Sequence, residues 1–283
     1  MAGAGVRRLA ERDVDRAIAL TDLEGWGYTR EDFRRLLALH PDGCFAAEAD
    51  GKLVGLLTTT VYGRLAFLGA VIVEPERRGQ GIGNAMMRAA LDHLDGRGVE
   101  TVRLNAYLHV VSFYERLGFR AEYDNVRWSR GPLPAIPSAV RPVDAKALDR
   151  VIMFDAPFFG ASRADLLTYL SEEFPRTSLV AERAGRPAGY LVGNTSGESC
   201  EVGPWVVDPG SEDAASDLLY GLMAASASES YAFTAPAPNR AADRFARSLG
   251  FEEVFRTRRM VRGRAGYEGR AEGVWGLAGL EKG

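Results

Sequence analysis

The segment VIVEPERRGQGIGNAMMRAALDHL, Val71–Leu94, joins an apolar run to a helical pattern through a loop rich in glycine and arginine. Val71, Ile72 and Val73 close a strand-like run that starts at Leu65, and Pro75 ends it, having no amide to give to a ladder. Ile82, Met86, Ala90, Leu91 and Leu94 then recur at helical spacing. Gly79, Gly81 and Gly83 therefore lie where a helix begins and where its first backbone N–H groups have no intrahelical acceptor. Glycine lets those amides turn inward and lets a ligand approach without a Cβ in the way. With the helix dipole and Arg77 or Arg78 alongside, the loop predicts an anion site, and a diphosphate suits it best. Taken alone the loop also reads as a plain surface turn. The dinucleotide-binding fingerprint fits poorly, because the spacing is R-x-x-G-x-G and the loop follows the fourth or fifth strand.

Working outward, the chain repeats itself. VRRLAERDVDRAI starts at Val6 and VRPVDAKALDRVI at Val140, 134 residues apart. AEADGKLVGLL and AERAGRPAGYL keep that offset, as do VIVEP and WVVDP, which end at Pro75 and Pro209. YERLGF and ARSLGF close at Phe119 and Phe251, an offset of 132. The chain thus reads as two copies of one domain, at residues 1–130 and 140–283. The intervening 131–139 reads as a linker, since SRGPLPAIPSAVRP (Ser129–Pro142) holds four prolines. Each copy alternates strands and helices without regular βαβ spacing. Copy one includes a hairpin turning at Asp50-Gly51, a buried strand in LAFLGAVIV and a helix in SFYERLGF that stops at Gly118. A duplicated α/β fold with a mixed sheet (α+β) follows.

Composition narrows the function. The 283 residues carry 46% hydrophobic and 26% charged side chains and a formal charge of −3, so no global basic field draws the chain to nucleic acid. No apolar stretch is long enough for a bilayer, and MAGAGVRRLAERD lacks a signal-peptide core, which points to a cytoplasmic protein without membrane partners. Two cysteines, Cys44 and Cys200, cannot build a disulfide framework and read as small buried hydrophobes.

EPERRGQGIGNAMM resembles the acyl-CoA loop of the GNAT superfamily of N-acyltransferases, signature [QR]-x-x-G-x-[GA], with Arg78, Gly81 and Gly83 in the signature positions. The resemblance spans all of copy one, and copy two is similar in fold. It implies that acetyl-CoA is the cosubstrate, with no metal. It also implies that Val71, Ile72, Val73, Arg78, Gly79, Gln80, Gly81, Ile82, Gly83 and Asn84 hold its pantetheine arm and diphosphate. The implied reaction is direct attack of an amine on the thioester, with strand-end amides polarising the carbonyl. Gly69 is a candidate for a bulge that aims such an amide. Tyr114 matches the tyrosine that protonates the leaving thiolate, a transfer that a thiol pKa of about 8.5 against a phenol pKa of about 10 makes feasible. Where the family often has asparagine seven residues earlier, this sequence has Tyr107. TDLEGWGYTREDF, joining the first two helices, offers Glu24 as base and Trp26 and Tyr28 as an aromatic wall for the acceptor; His109 and water are competing bases.

Copy two has lost this equipment. WVVDPGSEDAASDLLYG replaces the glycine loop, putting Glu212 and Asp213 where a diphosphate would sit. Ala246 stands in the tyrosine position, while Asn239 suits the asparagine position. FDAPFFGASRADLL (Phe154–Leu167) corresponds to the acceptor loop, from which Phe158 and Phe159, together with Trp205, could line a pocket or fill a core. The sequence therefore predicts a tandem acyltransferase whose first copy moves acetyl from acetyl-CoA to a primary amine of a small molecule. A peptide or protein amine, and an acyl-CoA sensor without turnover, are the rival readings. A homodimer is compatible with all three.

Overall fold

The structure is a computed structural model that describes residues 4–134 and 136–283; Ala135, within the expected linker, lies outside the described residues. The chain forms two compact units, Met1–Leu104 with Lys282, and Asn105–Glu281 with Gly283. Among the described residues no helix is long and apolar enough to cross a membrane.

The first unit contains β1 (Gly5–Arg8), α1 (Val14–Asp22), α2 (Arg30–Leu39), β2 (Cys44–Ala49), β3 (Lys52–Tyr62), β4 (Leu65–Val73), α3 (Ile82–Gly96) and the start of β5 (Thr101–Tyr107). The strands run in sequence order, antiparallel from β1 to β4, with β4 and β5 parallel. Asp50 and Gly51, both at positive φ, make the expected turn between β2 and β3. A capping box starts α2: the Asp32 amide donates to Thr29 Oγ1 at 3.2 Å, and the Thr29 amide to Asp32 Oδ2 at 2.9 Å. Val14, Ala17 and Leu20 of α1 and Phe33 and Leu36 of α2 pack with Cys44, Leu56 and Ile72 of the sheet into one core. Met86, Met87, Ala90 and Leu94, the buried stripe of α3, repeat at the spacing expected of its sequence.

The second unit holds α4 (Val111–Glu115), β6 (Arg120–Arg130), β7 (Val140–Pro142), α5 (Ala145–Phe159), α6 (Ala164–Glu173), β8 (Ser178–Arg183), β9 (Arg186–Asn194) and β10 (Ser199–Val207). These are followed by α7 (Glu212–Ala225), β11 (Ser230–Pro236), α8 (Arg240–Ser248), β12 (Glu252–Gly263) and β13 (Val274–Gly276). Its strand order is β12-β6-β11-β10-β9-β8-β7, with β13 also paired to β10. Residues of α7 and α8 pack around Trp128, Trp205, Phe233 and Trp275, while α5 and α6 bury Val151, Phe158 and Leu167 against Val180 and Tyr190.

The division between the two compact units falls within β5. Strand β6, which the repeat assigns to copy one, is a central strand of the second unit, hydrogen-bonded to β11 on one edge and β12 on the other. Nothing local in its sequence RAEYDNVRWSR assigns it to one sheet, so tertiary contacts decide which sheet takes it.

Candidate active site

In the first unit the site is built on a fault in β4. Thr58 of β3 pairs with Gly69 and Leu56 with Ile72, so β4 carries one residue more than its partner over this interval. The surplus is a β-bulge, and Ala70 takes positive φ (48°) within it, next to the glycine expected to mark it. The parallel ladder from β4 to β5 runs from Leu65↔Thr101 to Leu68↔Leu104 and stops there, just before the bulge. Beyond it, Val71–Val73 run on with one edge free of that ladder.

The chain then turns through Pro75–Arg77 into the glycine loop. Gly81, at φ 81°, immediately precedes α3, whose first turn has no acidic residue and no side-chain cap. The amides of Ile82, Gly83 and Asn84 thus open the helix with no side chain competing for them. An added Cβ at Gly79 or Gly81 would meet nothing within 4 Å, so both glycines serve backbone conformation and not packing.

The arginines behave differently from the expectation that they add free positive charge. Arg78 donates from Nε to the Val73 carbonyl at 3.0 Å and from Nη2 to Glu24 Oε1 at 2.5 Å. Arg77 donates to Asp50 Oδ2 at 2.9 Å. Both guanidinium groups are matched by carboxylates, whereas no side chain caps the amides at the start of α3. Arg78 instead staples the end of β4 to the segment between α1 and α2. There Trp26 and Tyr28 lie edge-on at 6.3 Å, Tyr28 packs 5.4 Å from Phe33, and both rings lie against the core.

Models of the acetyltransferase (GNAT) family match residues 14–119, and of the acetyltransferase (GNAT) domain residues 151–276. The chain belongs to the GNAT family and is a tandem acyltransferase of that type. It is 25% identical over 265 residues to the holothin acyltransferase of Pseudoalteromonas sp. (strain SANK 73390), covering 92% of this chain and 88% of that protein. A mycothiol acetyltransferase of Thermobispora bispora is 38% identical over 109 residues, 34% of this chain and 37% of that one. In fold it resembles a Pyrococcus horikoshii protein of known structure (TM-score 0.84, 23% identity, covering 100% of this chain and 97% of that one). It also resembles a tandem GNAT protein from the clavulanic acid biosynthesis pathway (TM-score 0.65, 17% identity, 92% and 98%). GNAT proteins use acetyl-CoA as cosubstrate.

The second GNAT repeat shows the same fault, filled. Between Val202 and Trp205 strand β10 carries one residue more than β9, at Gly203-Pro204, which is 134 residues after Gly69-Ala70. Here a strand of the chain itself occupies the gap beyond the bulge. Trp205 pairs with Gly276 and Val206 with Val274, and the Leu277 amide reaches across to the Thr234 carbonyl of β11 at 2.9 Å. The fit is close: a Cβ on Gly203 would lie 1.8 Å from the Leu277 carbonyl oxygen. Asn239 caps α8 through the Ala242 amide and donates to the Val274 carbonyl at 2.9 Å, so it secures β13. Sequence reasoning missed β13; its signal was the apolar VWGLAGL, which has no counterpart in the first repeat.

What remains near the start of α7 is a cavity of about 200 Å³ bordered by Asp208, Glu212, Glu272, Arg240 and Trp275. Asp213 turns to Arg183 at 2.7 Å, and that hydrogen bond holds its carboxyl below the usual range. Ala246 is fully buried.

Tyr114 lies in the second unit, 8% exposed, at the end of α4 and edge-on to Phe113 and Phe119. Burial raises its phenol pKa. His109 is exposed and stacked on Tyr107, which also packs 5.3 Å from Phe255. The residues expected to form an acceptor surface in the second repeat are instead closed in. Helix α5 continues through Phe159, so Phe154–Phe159 is helix and not loop; Phe158 is 2% exposed beneath the Arg270 guanidinium. Trp205 is fully buried against Phe233, Phe245 and Trp275, and its indole nitrogen has no hydrogen-bond partner. Phe158 and Trp205 belong to two separate cores. Cys44 and Cys200 are buried, their thiols pushed up to about 12 by desolvation, which removes them as nucleophiles.

Proposed function

We propose that the first repeat binds one acetyl-CoA and transfers its acetyl group to a primary amine of a small molecule. The observation that carries this reading is the bulged edge of β4, whose ladder to β5 ends at Leu68 and which leads directly into the uncapped, glycine-lined start of α3. The second repeat supports it as an internal comparison. The counterparts of Val71 and Ile72 there, Trp205 and Val206, hold an extended chain by main-chain hydrogen bonds. An extended pantetheine arm has amides that can make the same kind of bonds to Val71–Val73. Its diphosphate would then meet the amides from Gly79 to Asn84, with Arg78 and Gln80 shaping the loop from behind.

In the proposed reaction the amine nitrogen bonds to the thioester carbon, the C–S bond breaks, and sulfur leaves as thiolate. Strand-end amides stabilise the developing oxyanion. Tyr114, assigned by its place in the motif, gives the thiolate its proton and is reprotonated from solvent. The amine proton passes to Glu24 or to water, while Trp26 and Tyr28 form the acceptor side. A small-molecule acceptor is favoured by the holothin acyltransferase, whose similarity extends over most of both chains. Calorimetric titration with acetyl-CoA, followed by a thiol-release screen over small amines and lysine peptides, tests the reading. No binding, or release only with peptides, would overturn it.

A further inference from the structure

In the first unit one side chain touches both sides of the proposed site. Arg78, the residue before Gly79, donates from Nε to the carbonyl of Val73, which ends β4, and from Nη2 to Glu24 Oε1. The planar fork of a guanidinium holds two such acceptors in a fixed relation, which a lysine ammonium on its flexible stem does not. The place of Arg78 in the loop signature implies a diphosphate contact, yet both of these partners are protein groups.

Glu24 is presented by a fixed turn. The Gly25 amide donates to the Asp22 carbonyl at 3.0 Å and the Trp26 amide to the Thr21 carbonyl at 3.2 Å, with Gly25 at φ 66°. These paired bonds close α1 as a Schellman motif does. A carboxylate just past the helix lies at the negative end of its dipole, where a cation is stabilising, and Arg78 brings that cation. Gly27 follows at φ 67°, and a Cβ at Gly25 or Gly27 would meet nothing within 4 Å. The Trp26 backbone therefore runs between two open glycine turns, with the preceding carboxylate tied across to Arg78. Gly79 and Gly81, on the far side of Arg78, are equally open. An anion on the amides of Ile82, Gly83 and Asn84 would fix this loop, and Arg78 with it.

We infer that Arg78 is a positioning residue that acts through Glu24, and that it couples the two sides of the site: acetyl-CoA on the glycine loop orders residues 23–28 for the acceptor. The coupling presupposes the acetyl-CoA site proposed above. The signature arginine then serves the acceptor side, while backbone amides hold the diphosphate. Coupling is reciprocal, so an acceptor that orders residues 23–28 also tightens acetyl-CoA. The Arg78 and Glu24 side chains are 50% and 35% exposed, and pairs so exposed shift an equilibrium by up to about fivefold.

Hydrogen exchange on the full-length protein, with and without saturating acetyl-CoA, tests the coupling. In wild type, acetyl-CoA should protect the amides of residues 82–84 and slow exchange across residues 23–28 by about two- to fivefold. Arg78→Ala and Glu24→Gln should each remove the slowing at residues 23–28 while protection at residues 82–84 persists. The double variant should go no further than either single one, and Arg78→Lys, which keeps the cation, should restore part of the effect. Slowing at residues 23–28 that survives Arg78→Ala would overturn the inference. So would a wild type in which acetyl-CoA protects residues 82–84 and leaves residues 23–28 unchanged. Absence of protection at residues 82–84 would overturn the acetyl-CoA site itself, and the coupling with it.

Discussion

Gly81 is where the proposed cofactor site is most exposed to refutation. Replacing it by aspartate forces an L-residue into φ 81°, at a cost of about 1–2 kcal/mol. No atom lies within 4 Å of the added Cβ, so steric cost is absent and a fold of ordinary stability, about 5–15 kcal/mol, survives. Binding has more to lose. Relaxing the backbone at Gly81 turns the first α3 amides away from the diphosphate. Two lost hydrogen bonds to a charged group, at about 1.5–3 kcal/mol each, weaken binding by about 3–6 kcal/mol, or ~10²–10⁴-fold. The new carboxylate adds repulsion in the same direction. Gly210 supplies the control: it sits at φ 94° before α7, again with nothing within 4 Å of its Cβ position. Gly210→Asp should lower the melting temperature similarly and leave acetyl-CoA affinity unchanged. Calorimetry on both variants, with thermal melts, is the assay. Wild-type affinity in a folded Gly81→Asp protein would refute the placement, and equal losses in both variants would show that the effect is not local.

Tyr114→Phe should lower kcat by ~10²–10⁴-fold with acetyl-CoA affinity nearly unchanged, and steady-state kinetics matching wild type would make Tyr114 a packing residue. Titration should give one acetyl-CoA per chain, because β13 fills the second cleft and Asp208, Glu212 and Glu272 border what is left; two equivalent sites would be contrary. Gly203→Ala should destabilise the chain by about 2 kcal/mol or more, since the methyl group would press on the Leu277 carbonyl, and an unchanged denaturation midpoint would contradict the seating of β13. Asp13 has its carboxyl held below the usual range chiefly by the hydrogen bond from Arg7. The unfolded chain therefore takes up that proton first, and the stability it contributes is present above about pH 4 and lost as pH falls through the folded value. Asp13→Asn should flatten the loss of stability between about pH 5 and about pH 3, which denaturant midpoints at the two pH values will show.

The sequence by itself determined what depends on neighbours along the chain. Hydrophobic period placed the strands and helices, the 134-residue offset revealed the duplication, and Asp50-Gly51 specified a turn through its own backbone chemistry. Gly79 and Gly81 were legible for the same reason: positive φ before a helix is a local property. Tertiary structure alone decided which partner each element meets. Strand β6 buries Asn125, Val126 and Trp128, which the sheet of either repeat could cover, so nothing local distinguishes its own sheet from that of the other repeat. The bulge put positive φ on Ala70, one residue beyond the suspected Gly69, because it is the mismatch with β3 that creates it. Arg78 joined Glu24 across 54 residues, and Val274–Gly276 entered a gap that exists only once β10 has bulged. Phe158 and Trp205 carry the same aromatic character in a pocket or a core, and only the packing around them closed them in. Propensity acts over a few residues, whereas pairing and burial are settled by surfaces brought together from distant parts of the chain.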